Sequence, residues 1–248
     1  MRLDKYVSLA GAISRKDATR AIKSGEVTVD GTVVKKADTA INEEAAEVRL
    51  GGVPLVYEKT VWVMLNKPRG YVSATEDGRY PVVTELLPPE LVRRGLFPVG
   101  RLDKDTLGLM LLTDDGTLAH LLLSPKRHVE KRYRFTLTAP LPADAEERCL
   151  AGIPLSDFMA KPAMLLPSPD RMGGEIVLTE GKYHEIKRMM HALGTEIETL
   201  ERTRFARLSL DSALGRGEWR RLTKDEIQGL EDALPAPTTQ NKGDESWI

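Results

Sequence analysis

The stretch of this 248-residue chain densest in groups that could do chemistry is Gly100-Arg101-Leu102-Asp103-Lys104-Asp105-Thr106-Leu107-Gly108-Leu109, followed by Leu111-Leu112-Thr113-Asp114-Asp115-Gly116. On its residue types alone this segment is a polar turn between apolar elements, and two readings fit its aspartates. Asp105 or Asp115 can cap a turn or a helix. Asp-x-Asp can also open a metal loop, but this one lacks the further oxygen ligands that a hard cation takes. Among the four histidines, His184 and His191 lie seven apart on one predicted helix face. Seven helical residues rise roughly 10 Å, too far for two ligands of one zinc ion. The histidines therefore read as surface, RNA-facing or supporting groups, and no metal site is expected. Serine nucleophile elbows, Walker loops and dinucleotide fingerprints are missing, so no cofactor is expected either.

The elements that must position these residues divide the chain in two. A hydrophobic content of 41% over 248 residues supports more than one average domain. The lone Cys149 rules out an internal disulfide and fits a reducing compartment. The start Met1-Arg2-Leu3-Asp4-Lys5 has no apolar leader, and no later run reaches bilayer-spanning length, so a cytoplasmic protein with no membrane partner is expected. Net charge is -1, which argues against coating a polyanion by bulk charge. Basic residues nevertheless gather at Arg2, Lys5, Arg15, Lys16, Arg20 and Lys23, and again at Lys126, Arg127, Lys131, Arg132 and Arg134. Such local patches bind phosphate.

Residues 12–25 carry a helix pattern, with Ser14 and Asp17 as a capping signal, Ala18, Ala21 and Ile22 as the apolar face, and Gly25 as the stop. Leu3, Val7 and Ala10 suit a shorter helix before it. Val27, Val29 and Val33 around Asp30-Gly31 predict a hairpin with a type I′ turn. Residues 48–57, broken by Gly51-Gly52, predict a strand, turn and strand leading out of this small module. The boundary is placed so that residues 1–58 form an N-terminal domain and 59–233 a larger one, with 234–248 a disordered tail lacking any apolar period. Val61-Trp62-Val63-Met64-Leu65 predicts a buried strand ending at the loop Asn66-Lys67-Pro68-Arg69-Gly70. Further strands are expected at 108–113, 133–139, 175–179, 197–204 and 208–210, and helices at 117–123, 144–151, 184–193 and 224–233. Strands do not alternate strictly with long helices, so the expected class is α+β, mixed and largely antiparallel.

Residues 100–109 resemble the signature of the RsuA/RluA-type pseudouridine synthases. The loop at 66–70 is similar to the family's first motif. Glu130-Lys131-Arg132-Tyr133 resembles its lysine-x-tyrosine motif, and Glu180-Gly181-Lys182-Tyr183-His184-Glu185-Ile186-Lys187-Arg188-Met189 resembles its third. The first unit resembles an S4 RNA-binding module, the appendage expected on the RsuA branch. The resemblance implies that Asp103 is the catalytic nucleophile or base and that Lys187 is its paired cation. It further implies that Tyr133 stacks on a flipped uracil and assists loss of the C5 proton, that Leu178 packs beneath the base, and that Arg101 holds the flipped-out state. Arg2, Lys5, Arg15, Lys16, Arg20 and Lys23 would contact RNA phosphates. It implies ribosomal RNA or a small-subunit assembly intermediate as the partner and no cofactor, and the compact two-domain layout suggests a monomer. Within the branch, Lys187 and residues 124–128 and 160–163 resemble the subgroup that modifies uridine 516 of 16S rRNA. A sister enzyme acting on 23S rRNA and a noncatalytic ribosome-assembly factor are the alternatives.

Overall fold

Helix α1 (Leu3–Ala10) and helix α2 (Arg15–Ser24) open the chain. The computed structural model describes residues 1–234, so the expected tail, apart from Leu234, lies outside the described residues. Ser14 caps α2 by accepting the Asp17 N–H at 3.1 Å, and Gly25 ends the helix at φ 85°. The helix starts at Arg15 rather than 12, because Ala12 has φ 53° and Ser14 is extended. Strands β1 (Val27–Val29) and β2 (Thr32–Val33) follow, joined through Asp30 and Gly31 at φ 50° and 78°, both positive as a type I′ turn requires. Strands β3 (Val48–Leu50) and β4 (Val53–Pro54) do not lead out of the module. They complete its sheet in the order β2-β1-β3-β4, because β3 pairs antiparallel with β1. Leu3, Tyr6, Val7, Ala18, Ile22, Val27 and Val48 fill the core between helices and sheet.

The larger unit is laid on a nine-stranded sheet. Its elements are β5 (Trp62–Lys67), α3 (Pro89–Arg94), β6 (Phe97–Pro98), β7 (Leu107–Thr113), α4 (Gly116–Leu123), β8 (Lys131–Leu137), α5 (Ala145–Ala151), β9 (Met164–Pro167), β10 (Gly173–Leu178), α6 (Glu185–Ala192), β11 (Ile197–Phe205), β12 (Leu208–Ser209), β13 (Trp219–Arg221) and α7 (Lys224–Glu231). The strand order is β13-β5-β7-β11-β8-β10-β9, with β6 on β7 and β12 on β11. Every pairing is antiparallel except β7 with β11. The mixed, largely antiparallel α+β expectation is the observed architecture.

The two-residue pleat explains why β5 reads as one apolar run. Val61, Val63 and Leu65 face a core shared with α3, α5 and α6, while Trp62 and Met64 face a second core shared with α4 and α7. The central strands are thus covered on both sides. At the parallel joint, Gly108 has φ 95°, and a Cβ there would lie 2.3 Å from the Arg202 carbonyl oxygen. Only glycine lets β7 and β11 approach this closely. No helix among the described residues is long and apolar enough to cross a membrane.

Candidate active site

The loop between β6 and β7 carries Asp103, and the first loop after β5 holds it in place. Ser73 Oγ accepts the Leu102 N–H at 2.9 Å and donates to the Leu102 carbonyl at 2.7 Å. The Gly70 N–H donates to the Lys104 carbonyl at 2.8 Å. Lys67, the last residue of β5, is fully buried beneath the loop. Its ammonium reaches the carbonyl oxygens of Asp103 at 3.0 Å, Thr106 at 2.8 Å, Pro68 at 3.2 Å and Lys104 at 3.3 Å. Burial pulls its pKa down to about 8, with Asp105 and Asp103 working in the opposite direction. A ring of carbonyl dipoles around an ammonium fixes the loop's backbone and leaves the Asp103 carboxylate free to project outward.

That carboxylate is about a third exposed and faces α6. Lys187 Nζ lies 3.1 Å from Asp103 Oδ2 and 2.6 Å from Asp105 Oδ1. Burial lowers the lysine's pKa, but the hydrogen bonds to Asp105 and Asp103 outweigh it and leave the value above the usual one. Lys187 is therefore a cation throughout the neutral range. Asp105, partly desolvated but hydrogen-bonded by Lys187, sits below the usual carboxylate range. His184, immediately before α6, places Nε2 3.5 Å from Asp103 Oδ1. The amino end of the helix, with its partial positive charge, is thus turned toward the carboxylate.

Arg101, Asp103, Tyr133, Leu178 and Lys187, the five residues singled out in the larger domain, line one cleft of about 430 Å³. Leu200 and Ile186 add to its apolar wall. Tyr133, from β8, is 7% exposed, and its phenol faces the buried Arg202 of β11. Burial pushes the phenol pKa up and Arg202 pulls it back only in part, so the ring is neutral at physiological pH. Arg202 is itself anchored by donating Nε–H to the Leu109 carbonyl at 2.7 Å. Beside Tyr133, Glu185 Oε2 accepts the Lys182 N–H at 3.0 Å and Glu180 Oε1 accepts the Lys161 N–H at 2.9 Å. Burial and the facing Glu180 push Glu185 up to about 7. Among the described residues no cluster of histidine, cysteine and carboxylates could hold a metal ion.

In the small module, Lys5, Lys16 and Lys23 are exposed on the helices. The arginines are partly neutralised. Arg2 grips Asp4 at 3.1 and 2.9 Å, Arg15 reaches the same carboxylate at 3.2 Å, and Arg20 pairs with Asp17 at 2.7 Å. Lys67, Arg202 and Glu185 have no individual role in the sequence reading, His184 is expected there as a surface, RNA-facing or supporting group, and Asp105, one candidate cap, instead pairs with Lys187 at 2.6 Å. Only Lys67 shows a signal, as a lysine that ends a buried strand whose first four residues are apolar. Asp115 does cap a helix, accepting the Leu118 N–H at 3.0 Å at the start of α4.

Comparison with known proteins matches residues 61–161 to a family model described as RNA pseudouridylate synthase, and residues 1–46 to the S4 domain. The chain is 41% identical to an uncharacterized RNA pseudouridine synthase of Bacillus subtilis, over 94% of this chain and 99% of the relative. It is 40% identical to ribosomal small subunit pseudouridine synthase A of Escherichia coli, over 93% of this chain and 100% of the relative. A solved structure described as a pseudouridylate synthase superposes with a TM-score of 0.66 at 37% identity, covering 93% of this chain and 99% of that one.

Proposed function

The chain belongs to the RNA pseudouridine synthases, and from that premise we propose that it isomerises one uridine of ribosomal RNA, uridine 516 of the 16S molecule, with Asp103 acting on the nucleotide. The observation that carries this reading is the Asp103 carboxylate, fixed from below through Lys67 and paired with Lys187, at the mouth of a cleft walled by Tyr133 and Leu178. A uridine must leave the stack for its glycosidic bond to reach that carboxylate. Arg101 at the rim holds the extruded state, the neutral Tyr133 ring stacks on the uracil, and Leu178 supports it.

Asp103 then either adds covalently to the nucleotide or removes a ribose proton. The N1–C1′ bond breaks, the uracil turns within the cleft, and the C5–C1′ bond forms. C5 loses its proton and N1 gains one, so atoms and charge balance without a cofactor or an energy source. Lys187, a cation 3.1 Å away, holds the carboxylate oriented for the first step. The exposed Lys5, Lys16 and Lys23, with Arg2, Arg15 and Arg20, dock the small module on RNA phosphates. The protein works as a monomer in the cytoplasm on small-subunit RNA or its assembly intermediate.

The test incubates the protein and its Asp103→Ala variant with 16S and 23S rRNA and maps pseudouridine by carbodiimide modification and reverse transcription. An Asp103-dependent stop at uridine 516 is the expected result. A stop only in 23S rRNA overturns the substrate and keeps the chemistry, and no stop in either leaves an RNA-binding assembly factor.

A further inference from the structure

Tyr183 is the most exposed large apolar side chain of the catalytic unit, 72% accessible, although it sits within the turn that leads into α6. Its ring lies on the His184 imidazole with centroids 3.9 Å apart and planes 17° from parallel. One face is covered by histidine and the other is open to water. His184 has φ 50° and ψ 29°, a left-handed conformation uncommon for residues with a Cβ, and neighbouring contacts support it there. Buried Glu185 ties back to the Lys182 N–H at 3.0 Å, the Glu185 N–H donates to the Lys182 carbonyl at 3.2 Å, and the imidazole rests against Asp103.

Tyr183 and His184 also form one wall of a second hollow, of about 900 Å³, whose other walls include Ser73, Ala74, Asp77 and Lys104. Arg101, Asp103 and His184 belong to this hollow and to the catalytic cleft alike, so the two are continuous. Lys104 and Arg101 place two cations in its wall beside the carboxylates of Asp77 and Asp103, and the Lys104 ammonium lies 4.0 Å above the Tyr80 ring. An open aromatic face beside fixed cations, continuous with a cleft that takes an extruded nucleotide, has the chemistry of a stacking platform for single-stranded nucleic acid.

We infer that the open face of the Tyr183–His184 stack receives the base of a nucleotide flanking the target uridine, while Lys104 and Arg101 meet its phosphates. Extruding one base unstacks its neighbours, and the platform gives one of them a new partner. Stacking tolerates any base, so the subsite senses the presence of a base rather than its identity. The inference rests on the RNA-modifying reading above.

The test measures RNA affinity and steady-state kinetics for the wild type, Tyr183→Ala and Tyr183→Phe. The RNAs are a fragment of the modified rRNA and two copies with a single abasic site on either side of the target uridine. Tyr183→Ala should weaken affinity and raise KM about tenfold with kcat nearly unchanged, and Tyr183→Phe should behave as wild type. One of the two abasic RNAs should bind wild type about tenfold more weakly, yet bind Tyr183→Ala no worse than the intact fragment does. Equal affinities for wild type and Tyr183→Ala overturn the inference, as do losses that multiply for both abasic RNAs. Should the wild type bind rRNA without converting it, the affinities still decide the platform while the failed conversion removes the enzymatic reading.

Discussion

Replacing Lys67 by methionine tests how the fold holds the catalytic loop. The side chain keeps its length and apolar stem but loses the ammonium that four carbonyl oxygens surround. Two of those carbonyls retain a backbone donor, since Thr106 N–H reaches Asp103 at 3.1 Å and Gly70 N–H reaches Lys104 at 2.8 Å. Those of Pro68 and Thr106 lose their charged donor. Hydrogen bonds from a charged group contribute roughly 1.5–3 kcal/mol each, so two represent about 3–6 kcal/mol. The variant no longer has to desolvate an ammonium, which offsets part of that, leaving about 2–4 kcal/mol of net destabilisation. Asp103 depends on the same carbonyl ring for its position, and a displacement near 1 Å at a reacting group costs about 100-fold in rate. Urea unfolding and tritium release from rRNA carrying [5-³H]uridine read the two effects separately. The expected result is a lowered midpoint together with a kcat reduced by about 100-fold at 25 °C, where the variant is still folded. A Lys67→Met protein with wild-type kcat would refute the assignment of loop positioning to this lysine, whatever its stability.

Gly108→Ala should lose about 2–4 kcal/mol in urea unfolding, because a Cβ at φ 95° meets the Arg202 carbonyl backbone, which cannot move aside. Lys187→Met should lower kcat by roughly 10–100-fold with little change in RNA affinity, and Lys187→Arg should recover most of it, since a cation beside Asp103 is what the site requires. Glu185 has a folded pKa of about 7 against an ordinary 4.5, so the folded state keeps a proton that the unfolded state releases between those values. Its contribution to stability falls as pH rises across that window. Glu185→Gln should therefore gain thermal stability relative to wild type between pH 5 and pH 8, and a difference that does not change with pH would count against the assignment.

Much of the fold follows from local chemistry that the chain displays openly. Ser14 and Gly25 bracket α2, Asp30-Gly31 accepts the two positive φ values of its turn, and the unbroken run from Val61 to Leu65 marks a strand covered on both faces. The short strands β6, β9 and β13 and the helix α3 escaped because two to six residues carry too little periodicity. Non-local pairings escaped for a different reason. The parallel joint between β7 and β11 links residues about a hundred positions apart, and nothing within either strand announces its partner.

The site divides in the same way. Asp103, Lys187, Tyr133, Leu178 and Arg101 came from motif resemblance, and the fold gathers them around one cleft. What supports them was hidden, because it depends on burial. Lys67 looks like a strand-end lysine until the loop closes over it, and Arg202 looks like a surface arginine of an alternating strand until the glycine joint draws β11 against β7. Asp105 shares Lys187 more closely than Asp103 does, a competition visible only once α6 is placed.

The most direct test of the central claim is tritium release from [5-³H]uridine rRNA by wild type and Asp103→Asn, which removes the charge but nearly preserves the shape. Turnover by wild type, with none detectable from a variant that unfolds at the same temperature and binds the RNA equally well, is the result predicted. Turnover by Asp103→Asn within tenfold of wild type would contradict the account and move the chemistry to another residue of the cleft.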